Sequence, residues 1–416
     1  MIRVGAIIDQ HIKQDAIVLV VSALGKTTNR LERLVAAAAS QSPDFDAEWV
    51  ELQHTHWVFI DELGIHEPAQ LPMLFKELRD VLEGIRLLGD APARVFDRVM
   101  SYGELLSSTL LAAYLQNKGY PIAWVDAREV IHTDLNYRAA RVIWPQTQHA
   151  IRERITPLLQ QGLLPLTQGF IASGSDGSTT TLGREGSDYS AALIAAALHA
   201  QRVVVWKDVP GVLSADPRFL SHYQQLGSLS YRQAVEMTYY GASVIHPNTL
   251  RPLFEADIPL QVRSFVDPNA DGTRIDAHQS SPLPSFQLTF GVSVLSIQPD
   301  NLSFVDEEQF RHVFDLASQI GLRSLLIARS AVSLFLCCDG RPHLIHEFLS
   351  LLKQQYRIEH KPGLILIAEQ NSPLAFSVHP EHLILEQRLS QSRFLVVNEL
   401  GLSEWKTAYE EHYVAA

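Results

Sequence analysis

Thr179-Thr180-Thr181-Leu182-Gly183-Arg184-Glu185-Gly186-Ser187-Asp188-Tyr189-Ser190, followed by the apolar run Ala191 to Leu198, is a polar, glycine-containing loop that opens directly onto a helix. Such a junction presents unpaired backbone N–H groups and the positive end of a helix dipole, where carboxylate or phosphate binds readily. Arg184 adds a planar fork able to hold a carboxylate through two parallel hydrogen bonds. Asp188, on the first turn, can take an ammonium group or cap the helix. An arginine and an aspartate so placed suit an amino acid, although the spacing alone equally fits an ordinary capped helix behind a flexible loop.

Outward from this loop, short β-branched runs alternate with helical patterns over the first 280 residues. Ile17 to Val21, Pro121 to Val125, Leu164 to Thr167, Arg202 to Trp206 and Pro259 to Val262 read as largely buried strands. Gly103 to Gln116, Gln148 to Gln160, Ser187 to Ala200 and Tyr231 to Tyr240 read as helices. That alternation predicts an α/β fold, a mostly parallel sheet with helices on both faces and functional loops at the carboxyl ends of the strands. A boundary is expected near Ser280 to Pro284, where Ser, Pro and Gln cluster. Beyond it, Gly291 to Ile297, Glu307 to Ile320, Ser324 to Ile327, Val332 to Cys338 and Pro342 to Gln355 suggest a βαββαβ unit. Leu364 to Ala368, Leu374 to Val378 and Phe394 to Val397 are strand candidates for a second, abbreviated unit.

Composition narrows the class. The 416 residues, 46% hydrophobic and 19% charged, are globular and ample for two cored domains. A net charge of −12 with no basic stripe argues against a nucleic-acid partner. The two cysteines, Cys337 and Cys338, are adjacent in an apolar run, which suits buried thiols in a reducing compartment. No apolar run reaches the roughly 18 to 20 residues of a membrane span and no signal-peptide pattern opens the chain, so a cytoplasmic location is expected.

The opening loop resembles the signature of the aspartokinases, members of the amino-acid kinase superfamily. Further blocks follow in family order: Val18 to Asn29, Ser101 to Ser107, Trp124 to Glu129, Gln168 to Ile171, Trp206 to Gly211 with Asp216-Pro217-Arg218, Gly241 to Pro247, and Asp271 to Ile275. The resemblance implies the amino-acid kinase fold over 1–280. It also implies an ACT-type, ferredoxin-like α+β regulatory region over 285–416, which in the family senses end-product amino acids and makes the homodimer contact. The glycine-phenylalanine element that opens the family's effector-binding helix is not visible around Phe304 to Phe314.

The implied chemistry is transfer of the γ-phosphoryl group of ATP, with Mg²⁺, to the side-chain carboxylate of L-aspartate. A carboxylate of pKa about 4 is already ionised at neutral pH, so no general base is needed. The obstacle is the approach of two anions, which cations and N–H donors must offset. Matched residue by residue, Ser22, Thr28, Glu104, Phe170, Arg184, Ser187 and Asp188 correspond to the aspartate pocket, with Glu104 on the substrate ammonium. Lys207, Asp208, Leu213, Arg218, Ser243 and Val244 correspond to the nucleotide side, and Arg184, Asp188 and Lys207 to the catalytic charges. His246 reads as packing or backbone support rather than as an acid or base. No metal ligand is assigned.

Departures from the family bear on turnover. The family opens with a lysine-phenylalanine-glycine-glycine-threonine-serine turn that embraces the ATP phosphates, whereas Met1 to Ile8 here aligns with the helix after that turn. Ser243 stands where the family has a phosphate-binding lysine, Leu213 replaces a tyrosine, and Glu185 replaces a glycine. If position 185 has positive φ, glutamate strains a backbone that glycine tolerates. Three expectations follow: an aspartate kinase, a non-catalytic homologue that binds an amino acid or regulates, or a kinase for another amino acid.

Overall fold

A computed structural model describes the chain except residues 13–14, 243, 301–303, 305, 373–375 and 416, and the side chains of 414 and 415. In chain order the elements are α1 (Ile2–His11), β1 (Leu19–Val21), α2 (Thr27–Ala39), α3 (Phe45–Leu63), α4 (Leu71–Leu88), α5 (Ala93–Asn117), β2 (Ile122–Val125), β3 (His132–Thr133), α6 (Trp144–Gln160), β4 (Leu164–Gln168), β5 (Ile171–Gly174), β6 (Thr179–Thr181), α7 (Gly186–Leu198) and β7 (Val203–Lys207). The chain continues through β8 (Ser228–Ser230), α8 (Tyr231–Tyr239), α9 (Pro247–Glu255), β9 (Leu260–Ser264), β10 (Thr273–Asp276), β11 (Ser285–Pro299), α10 (Glu307–Gln319), β12 (Ser324–Arg329), β13 (Leu334–Cys338), α11 (Pro342–Leu352), β14 (Tyr356–Gln370), β15 (Leu383–Leu389), β16 (Ser392–Val397) and α12 (Glu399–Ala415).

Two compact units result. The first comprises Met1–Val209, Ile245–Ala270 and Arg274–Ala277; the second comprises Pro210–Val244, Asp271–Thr273 and His278–Ala416. Segment Pro210–Val244 lies inside the expected 1–280 domain yet clusters with the C-terminal unit.

In the first unit β4 is the middle strand of a parallel set, β1-β4-β2, and all five of its residues are buried, as a strand covered on both faces requires. β7 and β9 also pair in parallel. Short β3 and β5 are parallel, and β5 and β6 form an antiparallel pair that delivers the chain to α7. The long helix α5 runs through the interior. Around it a large apolar cluster gathers Leu31 and Leu34 of α2, Leu52 of α3, and Leu71, Phe75, Leu78, Leu82 and Ile85 of α4. Fully burying a side chain of this kind contributes about 1.5–3 kcal/mol, so this stripe anchors the helical layer. α1 occupies the segment that the sequence aligns with a helix.

The second unit carries a six-stranded sheet in the order β12-β13-β11-β14-β16-β15, antiparallel throughout. Elements β11-α10-β12-β13-α11-β14 form the expected βαββαβ unit, with strand order 2-3-1-4 counted within it. β11 is much longer than Gly291 to Ile297. It bends at a bulge where Gly291 has φ +71°, a conformation glycine adopts without cost, and so pairs with β14 on both sides of the bend. Cys337 and Cys338 lie buried and unpaired in β13, and burial raises both thiol pKa values, Cys338 to about 12.

One strand expectation is corrected. Of Leu374 to Val378, residues 374 and 375 lie outside the described residues, and 376–378 are not in a strand. The apolar signal there comes from Phe376, which is buried against Trp405 and Tyr409 of α12 rather than paired in the sheet. The strand in this region is β15.

Candidate active site

The carboxyl ends of β1 and β4 are tied by Gly169, whose N–H donates to Val21 O at 2.8 Å. From there the loop after β4 meets the start of α7. A Cβ on Gly169 would stand 2.5 Å from Ser187 Cα, and one on Gly186 would stand 2.7 Å from the Phe170 ring. Glycine at both positions therefore lets two backbones approach as no other residue would. Phe170, at φ +67°, donates its N–H to Ser190 Oγ, which in turn donates to Gly186 O. Beneath this junction the buried Gln168 side chain accepts from Ala127 N–H at 2.9 Å and donates to Ser108 Oγ at 2.8 Å.

Glu104 reaches the same strand ends from α5. It is 3% exposed, and its Oε1 accepts the N–H of Ala23, two residues beyond β1, at 3.2 Å. Its Oε2 is buried without a hydrogen-bond partner among the described residues. Burial pushes this carboxyl up to about 8, against the pull of the Ala23 N–H, so the neutral form predominates at pH 7. An ammonium group brought beside it would favour the ionised form.

At the start of α7 no side chain caps the helix; the Gly186 N–H turns back to Gly183 O at 3.1 Å, and the N–H groups of Ser187 and Asp188 are those placed for an external acceptor. Asp188, on that turn, accepts from Lys207 Nζ at the end of β7 at 2.8 Å; the two side chains are 14% and 26% exposed. Arg184 is exposed and makes no hydrogen bond or ion pair among the described residues. Glu185 immediately precedes the helix at φ +52°, ψ +33°, the left-handed region anticipated for a position where the family has glycine. Its Oε2 is buried without a hydrogen-bond partner among the described residues, and burial raises its pKa against the opposing charge of Lys207 and a hydrogen bond from the His246 backbone.

Ser22 is exposed just past β1, and Thr28 is half-buried on the first turn of α2, whose neighbour Thr27 bonds Leu24 O at 2.6 Å. The structure thus gathers Ser22, Glu104, Phe170, Ser187, Asp188 and Lys207 around linked strand ends. Asp208 is exposed directly after Lys207. In the second unit, Leu213 forms an isolated bridge with Gln225, and Val244 is half-buried. Arg218 is engaged by its own neighbour: its guanidinium lies 2.6–3.1 Å from the Asp216 carboxylate oxygens. Ser243 lies outside the described residues. His246 caps α9, its Nδ1 accepting from Asn248 N–H, which fits backbone support.

Asp97 escapes a motif-based reading. Fully buried on α5, it accepts from Arg138 N–H at 3.1 and 2.9 Å and from Thr181 N–H at 2.8 Å, and so fixes the entry to the 182–186 loop. An acid seven residues before Glu104, among the apolar residues of α5, is the sequence signal for it.

With this geometry in view, the comparisons are decisive. The family model for the amino acid kinase family matches residues 3–264. The lysine-sensitive aspartokinase 3 of Escherichia coli is 34% identical over 324 residues, which cover 74% of this chain and 71% of that one. The chain belongs to the aspartokinases, within the amino acid kinase family. Aspartokinase 1, chloroplastic, of Arabidopsis thaliana is 32% identical over 78% of this aspartokinase-family chain, which spans 58% of that relative's length. Among solved structures, E. coli aspartokinase III in complex with aspartate and ADP (R-state) superposes with a TM-score of 0.85 at 27% identity, covering 100% of this chain and 96% of that one. The same enzyme with lysine and aspartate (T-state) gives 0.72, covering 98% and 95%. Among the described residues no helix is long and apolar enough to cross a membrane.

Proposed function

We propose that this aspartokinase-family chain phosphorylates L-aspartate on its β-carboxylate from ATP. One carboxylate oxygen forms a bond to the γ-phosphorus as the bond to the bridging oxygen of ADP breaks, and no proton need move. The observation that carries the reading is the start of α7, without a side-chain cap, with Lys207 2.8 Å from Asp188: a cation and the N–H donors of Ser187 and Asp188 at one loop junction. Arg184 takes a substrate carboxylate, Glu104 the ammonium after losing its proton, and Ser22, Thr28, Phe170 and Ser187 line the pocket. Lys207, Asp208, Leu213, Arg218, Ser243 and Val244 are the nucleotide residues in this reading.

Magnesium ion carried by a nucleotide needs only one or two protein carboxylates. The described residues hold no cluster of three potential ligands, and the exposed Asp208 fits that modest requirement. Bound there, the ion would offset phosphate charge. A homodimer, a cytoplasmic location and an amino-acid effector at the ACT-type region of 285–416 complete the proposal.

A second reading, an aspartate-binding homologue without turnover, is favoured by Glu185, whose carboxylate adds negative charge beside Lys207. Coupled ADP release with L-aspartate and MgATP, run beside calorimetry with L-aspartate alone, separates the two. Aspartate-dependent ADP release supports the kinase. Binding without release supports the homologue, and neither binding nor release defeats both.

A further inference from the structure

Between Pro210 and Leu226 the chain of the second unit makes a two-legged excursion. Its legs hold one another: Ser214 N–H donates to Gln224 O at 2.8 Å, Leu226 N–H to Val212 O at 2.9 Å, and Gln224 N–H to Ser214 Oγ at 2.9 Å. The tip, Asp216 to His222, is supported from elsewhere. Ala215 and Leu220 are buried in a cluster with Phe286, Trp405 and Tyr409, and the Phe219 ring lies 4.6 Å from that of Phe290.

The polar end of the tip rests on α12. Ser221 donates its N–H to Glu410 Oε1 at 3.1 Å and its hydroxyl to Oε2 of the same carboxylate. His222 Nε2 lies 3.5 Å from that carboxylate. The Tyr409 hydroxyl donates to His222 O, and the Tyr413 ring stacks on the imidazole at 6.0 Å. The Ser221 hydroxyl holds the Glu410 carboxyl below its ordinary range, so it remains an acceptor at neutral pH. Three residues before Ser221 stands Arg218, whose guanidinium bonds to Asp216 and lies over the Phe219 ring, both in the same tip.

We infer that Glu410 is a positioning residue for nucleotide binding: through Ser221 it fixes the tip that presents Arg218, so the C-terminal helix sets the placement of a nucleotide-contacting loop. This rests on the reading of 207–218 as the nucleotide stretch. Glu410 does not itself hold α12 in place. That falls to Trp405, fully buried with its Nε1 donating to Glu369 Oε1 at 2.6 Å, and to buried Tyr409, so removing the Glu410 carboxylate releases the Ser221 anchor, loosens the polar end of the tip and spares the helix.

The test is calorimetric titration of the full chain with MgATP and, separately, with L-aspartate, on wild type, Glu410→Ala, Glu410→Gln and Arg218→Ala. Loss of two hydrogen bonds to a charged acceptor is expected to weaken MgATP about tenfold in Glu410→Ala. L-aspartate affinity should stay unchanged, and Glu410→Gln, whose one acceptor oxygen takes one of the two Ser221 donors, should recover part of the loss. Unchanged MgATP affinity in Glu410→Ala with weakened binding in Arg218→Ala overturns the inference alone. No MgATP effect in either variant, or no MgATP binding by wild type, overturns the nucleotide reading and the inference with it. Equal weakening of both ligands, or failure of the glutamine to recover, marks Glu410 as merely structural and overturns the inference.

Discussion

Lys207 Nζ donates to Asp188 Oδ2 at 2.8 Å, joining the end of a buried strand to the first turn of the helix that follows the glycine-containing loop. The pair is mostly shielded from solvent, so each charge conditions the other and neither acts alone.

Replacing Lys207 with Met should therefore lower kcat by about 10²–10³-fold, the usual cost of removing one donor from a transferring group. A double-mutant cycle with Asp188→Asn should show coupling on the order of 1 kcal/mol in thermal or denaturant unfolding. Full activity in Lys207→Met would remove the lysine from the chemistry.

Glu104 predicts proton-linked binding. Burial raises its pKa from 4.5 to about 8, so the carboxyl keeps its proton at neutral pH, and a substrate ammonium should expel it. Aspartate affinity should then rise by up to roughly tenfold per pH unit between about pH 6 and pH 8, with one proton released into the buffer. The stability sign is the opposite. Below 4.5 both folded and unfolded forms are protonated; as pH rises toward 8 the unfolded chain ionises first, and the stability contributed by the neutral group is lost. Glu104→Gln should thus melt higher than wild type above pH 8 and similarly at pH 4. A calorimetric binding enthalpy that is independent of buffer ionisation heat would contradict the linkage.

Glu185 occupies left-handed backbone, which costs roughly 1–2 kcal/mol for a residue with a Cβ. One oxygen of its buried carboxylate, Oε2, also has no hydrogen-bond partner among the described residues. After the entropic cost of glycine, about 0.5–1 kcal/mol, Glu185→Gly should still be more stable by about 1 kcal/mol. It should melt about 2–4 °C higher, read by scanning calorimetry, and turn over MgATP faster as negative charge leaves the Lys207 neighbourhood. A variant that is both less stable and slower would show that Glu185 contributes rather than obstructs.

Gly169 admits no side chain, because a Cβ there meets the backbone of Ser187 at 2.5 Å. Gly169→Ala should cost about 1–3 kcal/mol through overpacking. It should also displace the start of α7, weakening L-aspartate in titration calorimetry while leaving the second unit's sheet intact by circular dichroism. Undiminished aspartate affinity would detach that loop from the pocket.

The strands of the parallel core are legible because burial on both faces writes continuous apolar runs, as in Leu164 to Thr167. The signature loop is legible because its chemistry is local. The layer made by α2, α3 and α4 is written just as plainly, in spacings such as Leu71, Phe75, Leu78, Leu82 and Ile85, yet beyond the first turn of α2 it carries no reactive motif to draw attention to it. β15 is hidden for a different reason: an edge strand with one solvated side mixes Glu386, Gln387 and Arg388 among its apolar residues. Least legible is the partnership of Lys207 with Asp188, or of Glu410 with Ser221, since sequence separations of 19 and 189 residues close only through the tertiary fold.

Both cysteines of the chain lie sealed within β13, their thiols held protonated far above neutral pH. Maleimide chemistry thus finds no native target while the fold persists. A single cysteine introduced on the exposed tip near Arg218 would carry a fluorophore or spin label alone, and the nucleotide loop could be followed in solution without first stripping the protein of its own sulfur.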